Sequence, residues 1–229
     1  MRSWECLPSE MRTSSVKPYY SILRQKKAAL FAKRAFDLAA SAVLILALSP
    51  AMALAAIAVK LTSPGPVLYR QVRRTAYLKE FEIIKFRTMA DGADKKGPLV
   101  TVHSDSRITP AGKFLRSKRI DEMPQLFNIL KGDMSFVGAR PEVEKFIAHY
   151  DDEMLATFLL PAGLTSESSI VFMDEEKILN SAVDPEQAYI YEVLPKKMQL
   201  NLEYIRTYSF FGDIGILART LFAVFAQKR

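Results

Sequence analysis

The sequence predicts an α+β fold, mostly helical, built from a re-entrant membrane helix, a small β-hairpin and amphipathic interfacial helices. Three observations carry this expectation. Leu38–Val59 is free of charge for 22 residues and is interrupted by Ser49-Pro50. VLYRQV (Val67–Val72) and FEIIKFRTM (Phe81–Met89) are short runs of β-formers joined by about eight residues, a hairpin spacing. Most of the remaining chain repeats its apolar residues at helical spacing. A length of 229 residues suits one domain with a sizeable core and an appendage. The boundaries expected are a basic leader at 1–32, the re-entrant helix at 33–60 and the main domain at 61–229.

The leader reads as irregular or weakly helical, with Trp4 and Pro18-Tyr19-Tyr20 suited to a membrane interface. The apolar run is about 33 Å long as a helix, enough to cross a bilayer. It is long for a signal peptide, and more than 30 residues precede it. A buried core helix is the competing reading. Both flanks are basic, with Lys26, Lys27, Lys33 and Arg34 before it and Lys60, Arg70, Arg73 and Arg74 after it. A spanning helix normally carries its basic excess on one side. Pro50 removes a backbone donor mid-run, and the Ser49 hydroxyl can satisfy what it frees. A bent helix that enters and leaves by the same face accounts for both features.

Thr62-Ser-Pro-Gly-Pro66 is a turn into the hairpin. Asp91–Arg107 reads as a loop and Lys113–Arg119 as a short basic helix. In the next helix Asp121 is placed as N-cap, Pro124 lies in the first turn, and Lys131-Gly132 is the stop. Glu142–Phe158 reads as a helix broken by Pro161-Ala-Gly163. Asp174–Asn180 is a short helix, and Asp184–Tyr208 a longer one interrupted near Pro195. Asp213–Phe225 is amphipathic, and either lies on the membrane surface or caps the core.

A net charge of +7 and a pI near 9.4 suit anionic partners: nucleic acid, phosphorylated molecules or acidic headgroups. The single Cys6 excludes an internal disulfide framework. His103 and His149 are too few and too far apart for a histidine metal site. No Walker loop or GxGxxG is present, and no nucleic-acid motif.

The chemistry concentrates in RSKRIDEMPQLFNILKGDMSFVGARP, Arg116–Pro141. A carboxylate at a helix N-terminus is stabilised by free N–H groups, and Arg116, Lys118 and Arg119 would lower its pKa further. Such an acid can bind a divalent cation or attack an electrophile. Acids at helix starts also serve stability alone. Adjacent helical residues point about 100° apart, so Asp121 and Glu122 suit different roles rather than a facing pair. Lys85 and Arg87 alternate along the second strand and share a face, either a phosphate-binding or a solvated one. Gly138-Ala-Arg140-Pro141 puts a cation in a rigid turn.

Together KRAFD (Lys33–Asp37), Ser49-Pro50, LTSPGPVLYRQ, IIKFRTM, RIDEMPQLFNILKGDMSFVGARP and YIRTYSFFGDIGI resemble the bacterial sugar transferases, the monotopic phosphoglycosyl transferases. The resemblance implies transfer of a sugar 1-phosphate from a UDP-sugar to polyprenyl phosphate with Mg²⁺, releasing UMP. It implies Asp121 as nucleophile, with Glu122 assisting; both acids are metal candidates. Lys85, Arg87, Arg116 and Arg140 become the candidate phosphate contacts, and Asp213 a further family acid. It places the chain on the bacterial inner membrane, the catalytic domain facing the cytoplasm. The implied partners are a UDP-sugar, polyprenyl phosphate and membrane lipids, with no nucleic acid; a homodimer is left open. Ala139 stands where many members have Pro. GLTSESSIVFMDEE, Gly163–Glu176, replaces a GITGWAQVNGR-like segment, with Met173 where the family has Arg. A decayed, membrane-bound adaptor is the alternative.

Overall fold

A computed structural model of the chain describes residues 1–93, 106–175, 179, 182 and 184–226. The other residues include most of the expected Asp91–Arg107 loop and part of the Asp174–Asn180 helix, which therefore lie outside the description. Among the described residues the architecture is α+β and mostly helical.

The chain opens with two single 3₁₀ turns and helix α1 (Lys17–Gln25). The leader is partly helical, within the expected irregular or weakly helical range, but it packs into the core instead of lying at a membrane interface. Leu7, Met11, Val16, Tyr19, Tyr20 and Leu23 are buried against Ala156, Phe158, Leu159, Leu160, Leu202, Ile205 and Tyr208. Trp4 meets the Tyr20 ring edge-on at 5.1 Å. Apolar burial, worth about 1.5–3 kcal/mol for each fully buried aliphatic side chain, thus takes the aromatics that a membrane interface was expected to take.

Helix α2 (Lys27–Thr62) runs for 36 residues and is long and apolar enough to cross a membrane. One stripe of it faces the domain. Lys33, Asp37 and Ser41 are buried near its start, Ala55 and Val59 near its end. Between them Ile45 and Leu48 lie against one core cluster, and Met52 against a second that contains Phe86 and Leu115. The other side is bare, with Phe31 77%, Leu46 76% and Leu61 81% exposed. Pro50 cannot donate to the Leu46 carbonyl four residues back, and the Ser49 hydroxyl donates to that carbonyl at 2.8 Å.

Strands β1 (Leu68–Arg74) and β2 (Glu80–Phe86) form the expected antiparallel hairpin, with Tyr69 opposite Lys85. Helix α3 (Pro110–Ser117) is capped by Thr109, whose hydroxyl accepts from the Gly112 amide. A 3₁₀ turn at Ile120–Glu122 precedes helix α4 (Gln125–Lys131). Gly132 stops α4 with φ of 93°, a left-handed position that glycine takes without a Cβ penalty.

Strand β3 (Met134–Val137) follows and pairs in parallel with β4 (Ala162–Thr165), a strand the sequence reading did not anticipate. The expected Glu142–Phe158 helix divides into α5 (Glu144–Ile147) and a 3₁₀ segment at Met154–Leu159. The Asp151 carboxylate accepts from the Met154 amide just ahead of the second piece. Then come α6 (Glu167–Val171), α7 (Pro185–Ala188), a wide π turn at Tyr189–Val193, α8 (Leu194–Arg206) and α9 (Phe210–Ala226). The run from Pro185 to Arg206 is helical throughout, and Pro195, which lacks a backbone donor, directly follows the π turn, so the interruption expected near Pro195 is a local change of helical hydrogen bonding.

Candidate active site

The elements around the acid pair are held by buried polar links. Asn128 on α4 accepts from the Ile84 amide at 3.0 Å and donates to the Glu82 carbonyl at 2.7 Å, which sets α4 against β2. Arg34 on α2 donates to the Ile129 and Leu130 carbonyls at the C-terminal end of α4. Asp37 accepts from the Phe136 amide at 3.1 Å. Lys33 pairs with Asp213 at 2.7 Å and donates to the Val137 carbonyl, while Tyr204 donates to the other Asp213 oxygen. KRAFD is therefore the clamp that ties α2 to α4, β3 and α9. Asp213 is a structural acid in that clamp.

Asp121 and Glu122 occupy the 3₁₀ turn ahead of α4. Asp121 is not a helix N-cap, which corrects the sequence expectation. Arg119 precedes the turn in the left-handed region, φ 54°, and Pro124 occupies the N-cap of α4. The reversal at Arg119 and the constraint of Pro124 take up the residues that a regular first helical turn would need.

The two acids have different surroundings. One oxygen of Glu122 accepts from Arg140 at 2.5 Å and from Lys85 at 3.1 Å. Burial would raise its pKa, but Arg140 and Lys85 more than offset this and hold the carboxyl well below the usual range. Glu122 in turn raises Arg140 above the ordinary guanidinium value, against the effect of burial. Burial pushes Lys85 down, with Glu122 opposing. Among the described residues no hydrogen bond or ion pair reaches the Asp121 carboxylate. Burial raises its pKa first and the charge of Glu122 second, while Lys85, Arg116 and Arg140 act in the opposite direction. The expected lowering of Asp121 is thus reversed, because removal from water and a like charge outweigh the cations.

The structure gathers Lys85, Glu122 and Arg140 by contact, with Asp121 next to Glu122 in the chain, and Arg116 by its field at Asp121. It does not bring Arg87 to them. That side chain is buried and donates to the Ser63 and Pro64 carbonyls, so it organises the turn between α2 and β1. The shared strand face therefore does not carry two phosphate contacts. Gly138 and Gly163 lie so close that a Cβ at Gly163 would meet the Gly138 carbonyl oxygen at 2.1 Å. Only glycine allows the approach of β3 and β4 that sets the Arg140 loop.

Sequence reasoning missed a buried support beneath that loop. Arg73 donates to the Pro141 carbonyl at 2.9 Å and to Gln71. Glu142 accepts from the Tyr189 hydroxyl at 2.5 Å and pairs with Lys197 at 3.7 Å. Lys197 also pairs with Glu175 at 3.0 Å. Helical spacing from Leu194 to Asn201 was the available signal that Lys197 faces inward.

Mg²⁺ ordinarily takes one or two protein carboxylates and completes its shell with phosphate oxygens and water. Asp121 and the second oxygen of Glu122 fit that limited demand. No group of three or more acidic, histidine or cysteine ligands occurs among the described residues.

Residues 28–227 match the model of the bacterial sugar transferase family. The chain belongs to that family. One bacterial sugar transferase relative is the UDP-N-acetylgalactosamine-undecaprenyl-phosphate N-acetylgalactosaminephosphotransferase of Aeromonas hydrophila, 34% identical over 83% of this chain and 43% of its own length. The undecaprenyl-phosphate glucose phosphotransferase of Komagataeibacter xylinus is 37% identical, over 82% of this chain and 35% of its own. The UDP-glucose:undecaprenyl-phosphate glucose-1-phosphate transferase of Caulobacter vibrioides is 34% identical, over 82% and 68%. The chain thus spans less than half the length of the first two. The family match covers α2 and the acid turn and begins after α1.

Proposed function

We propose that this chain transfers a sugar 1-phosphate from a UDP-sugar to polyprenyl phosphate and releases UMP, as the first membrane step of bacterial glycan assembly. The observation that carries the reading is the division of labour at the acid turn. Glu122 is locked between Lys85 and Arg140, while the neighbouring half-buried Asp121 carboxylate has no hydrogen-bond or ion-pair partner among the described residues. The names of the three relatives, all phosphotransferases to undecaprenyl phosphate, support the substrate class.

An Asp121 oxygen attacks the sugar-proximal phosphorus of the diphosphate. The bond from that phosphorus to the bridging oxygen breaks, UMP departs with the oxygen, and a phosphosugar aspartyl ester remains. A phosphate oxygen of the polyprenyl phosphate then attacks the same phosphorus, and the bond to Asp121 breaks. Polyprenyl-diphospho-sugar leaves and the carboxylate is regenerated. An anion attacking an anionic diphosphate meets repulsion. Arg140, Lys85 and Arg116 offset it by fixed positive charge in a partly dehydrated site. Bound Mg²⁺ would neutralise further phosphate charge.

For the membrane we infer a monotopic arrangement on the cytoplasmic membrane, the domain facing the cytoplasm. Both ends of α2 and the stripe between them rest on one domain, and the apolar side is bare. A domain on one face of the bilayer that holds both ends keeps both on that face, as a helix that does not span requires.

The test is a screen for UMP release across UDP-sugars with polyprenyl phosphate present. Asp121→Asn is expected to abolish release while the protein still folds and binds membranes. Retained activity in that variant overturns the nucleophile. No UMP from any UDP-sugar favours the decayed adaptor, the reading that Met173 supports.

A further inference from the structure

Arg140 stands on a loop between two buried ionic supports, and the second of them has a charge problem. Lys197 is only 5% exposed and Glu142 8%. The Lys197 ammonium reaches Glu175 at 3.0 Å, the Tyr189 oxygen at 3.2 Å and Glu142 at 3.7 Å, and it lies 5.0 Å from the centre of the Tyr189 ring. One buried ammonium therefore serves two carboxylates. Tyr189 completes the group by donating to Glu142. Glu142 is two residues beyond Arg140, and the carbonyl between them, that of Pro141, is held by Arg73. Glu175 belongs to the segment in which this chain departs from the family pattern. A carboxylate released this close to Arg140 would be a rival for its guanidinium, since charge-assisted bonds in a buried site are strong. Both acids already add to the field that favours the Arg140 cation.

We propose that Lys197 is a positioning residue for the Arg140 phosphate contact, keeping Glu142 and Glu175 paired so that neither competes with substrate phosphate for the guanidinium. The proposal rests on the reading that the site takes a nucleoside diphosphate. Lys197 touches no substrate in this role; it acts through two acids.

The experiment uses the intact chain in detergent micelles. UDP binding is measured by calorimetry, and kcat and KM are measured for UMP release from the UDP-sugar most active with the unmodified protein. Lys197→Met is expected to weaken UDP binding and raise KM about tenfold, the scale of coupling within one ionic network. Glu175→Gln added to Lys197→Met is expected to recover most of that loss, and Lys197→Arg part of it. A purely packing role predicts instead a lower kcat with unchanged KM and no recovery in the double variant, and that result overturns the proposal. If Lys197→Met does not fold, Lys197→Arg decides: it is expected to weaken UDP binding a few-fold, and Glu175→Gln added to it is expected to restore the affinity. No loss in Lys197→Arg, or a loss that Glu175→Gln does not restore, overturns the proposal. Glu175→Gln alone leaves Lys197 paired with Glu142 and is expected to leave UDP affinity unchanged. Unmodified protein that binds no UDP removes the diphosphate reading itself. Binding that Lys197→Met leaves unaltered removes only the positioning role.

Discussion

As the proposed nucleophile, Asp121 would have to be an anion, yet its surroundings disfavour the anion. Burial and the charge of Glu122 hold its pKa above the ordinary value. A carboxyl raised in the folded state costs stability whenever it is ionised, and the cost disappears as pH falls through its folded and unfolded values. Asp121→Asn should therefore melt at a higher temperature than the unmodified protein at pH 7, the difference closing below about pH 4; thermal melts across pH check this. The same sign places the acid limb of activity above the range of an ordinary aspartate. Glu122→Gln removes the second cause and frees Lys85 and Arg140, so the acid limb should move to lower pH as the rate falls. A limb that stays in place would mean that another group sets it. The identity of the acid pair was legible in the sequence, because DEMPQ is distinctive. Its electrostatics were not, since burial depends on residues as distant as Lys85 and Arg140. Arg87 illustrates the opposite failure: alternation puts it on the right face, but two carbonyls before the strand claim it.

At the scale of elements, Asn128 joins α4 to β2 with both ends of its amide. Asn128→Ala leaves an amide and a carbonyl without partners, at about 1–3 kcal/mol per orphaned group. The urea midpoint should fall with the slope unchanged. Helix α2 carries a second prediction. Labels at Met1 and at Lys79 should react from the same side of sealed vesicles, and opposite sides would overturn the one-face reading. The hairpin and the long helix were legible because their patterns are local. Strand β4 was not, because AGLT is four residues with a glycine and follows Pro161, and its partner is β3, more than twenty residues earlier. The single helix expected over Glu142–Phe158 is two pieces, and the Asp151 carboxylate bonds the Met154 amide between them, a local side-chain bond that the apolar spacing does not show.

For the whole molecule, the surprise is how much of the core lies outside the family match. Residues before 28 supply Leu7, Met11, Val16, Tyr19, Tyr20 and Leu23 to one cluster, yet none of them contributes to the acid turn. Removing residues 1–25 should abolish a cooperative melt in this chain, because the lost burial is comparable to the whole stability of a domain, about 5–15 kcal/mol. A truncated protein that melts normally would show that the cluster closes without its leader. The overall class was readable from composition and period; the leader's place was not, since aromatic and basic residues suit a core edge as well as an interface. The one-sided seating of α2 has a further consequence. A spanning helix must adjust to hydrophobic thickness by tilting or by deforming the lipid, at a cost for every ångström of mismatch. A helix held at both ends by its own domain takes its depth from the protein, so the distance from the acid turn to the lipid phosphates should be the same in thin bilayers as in thick ones.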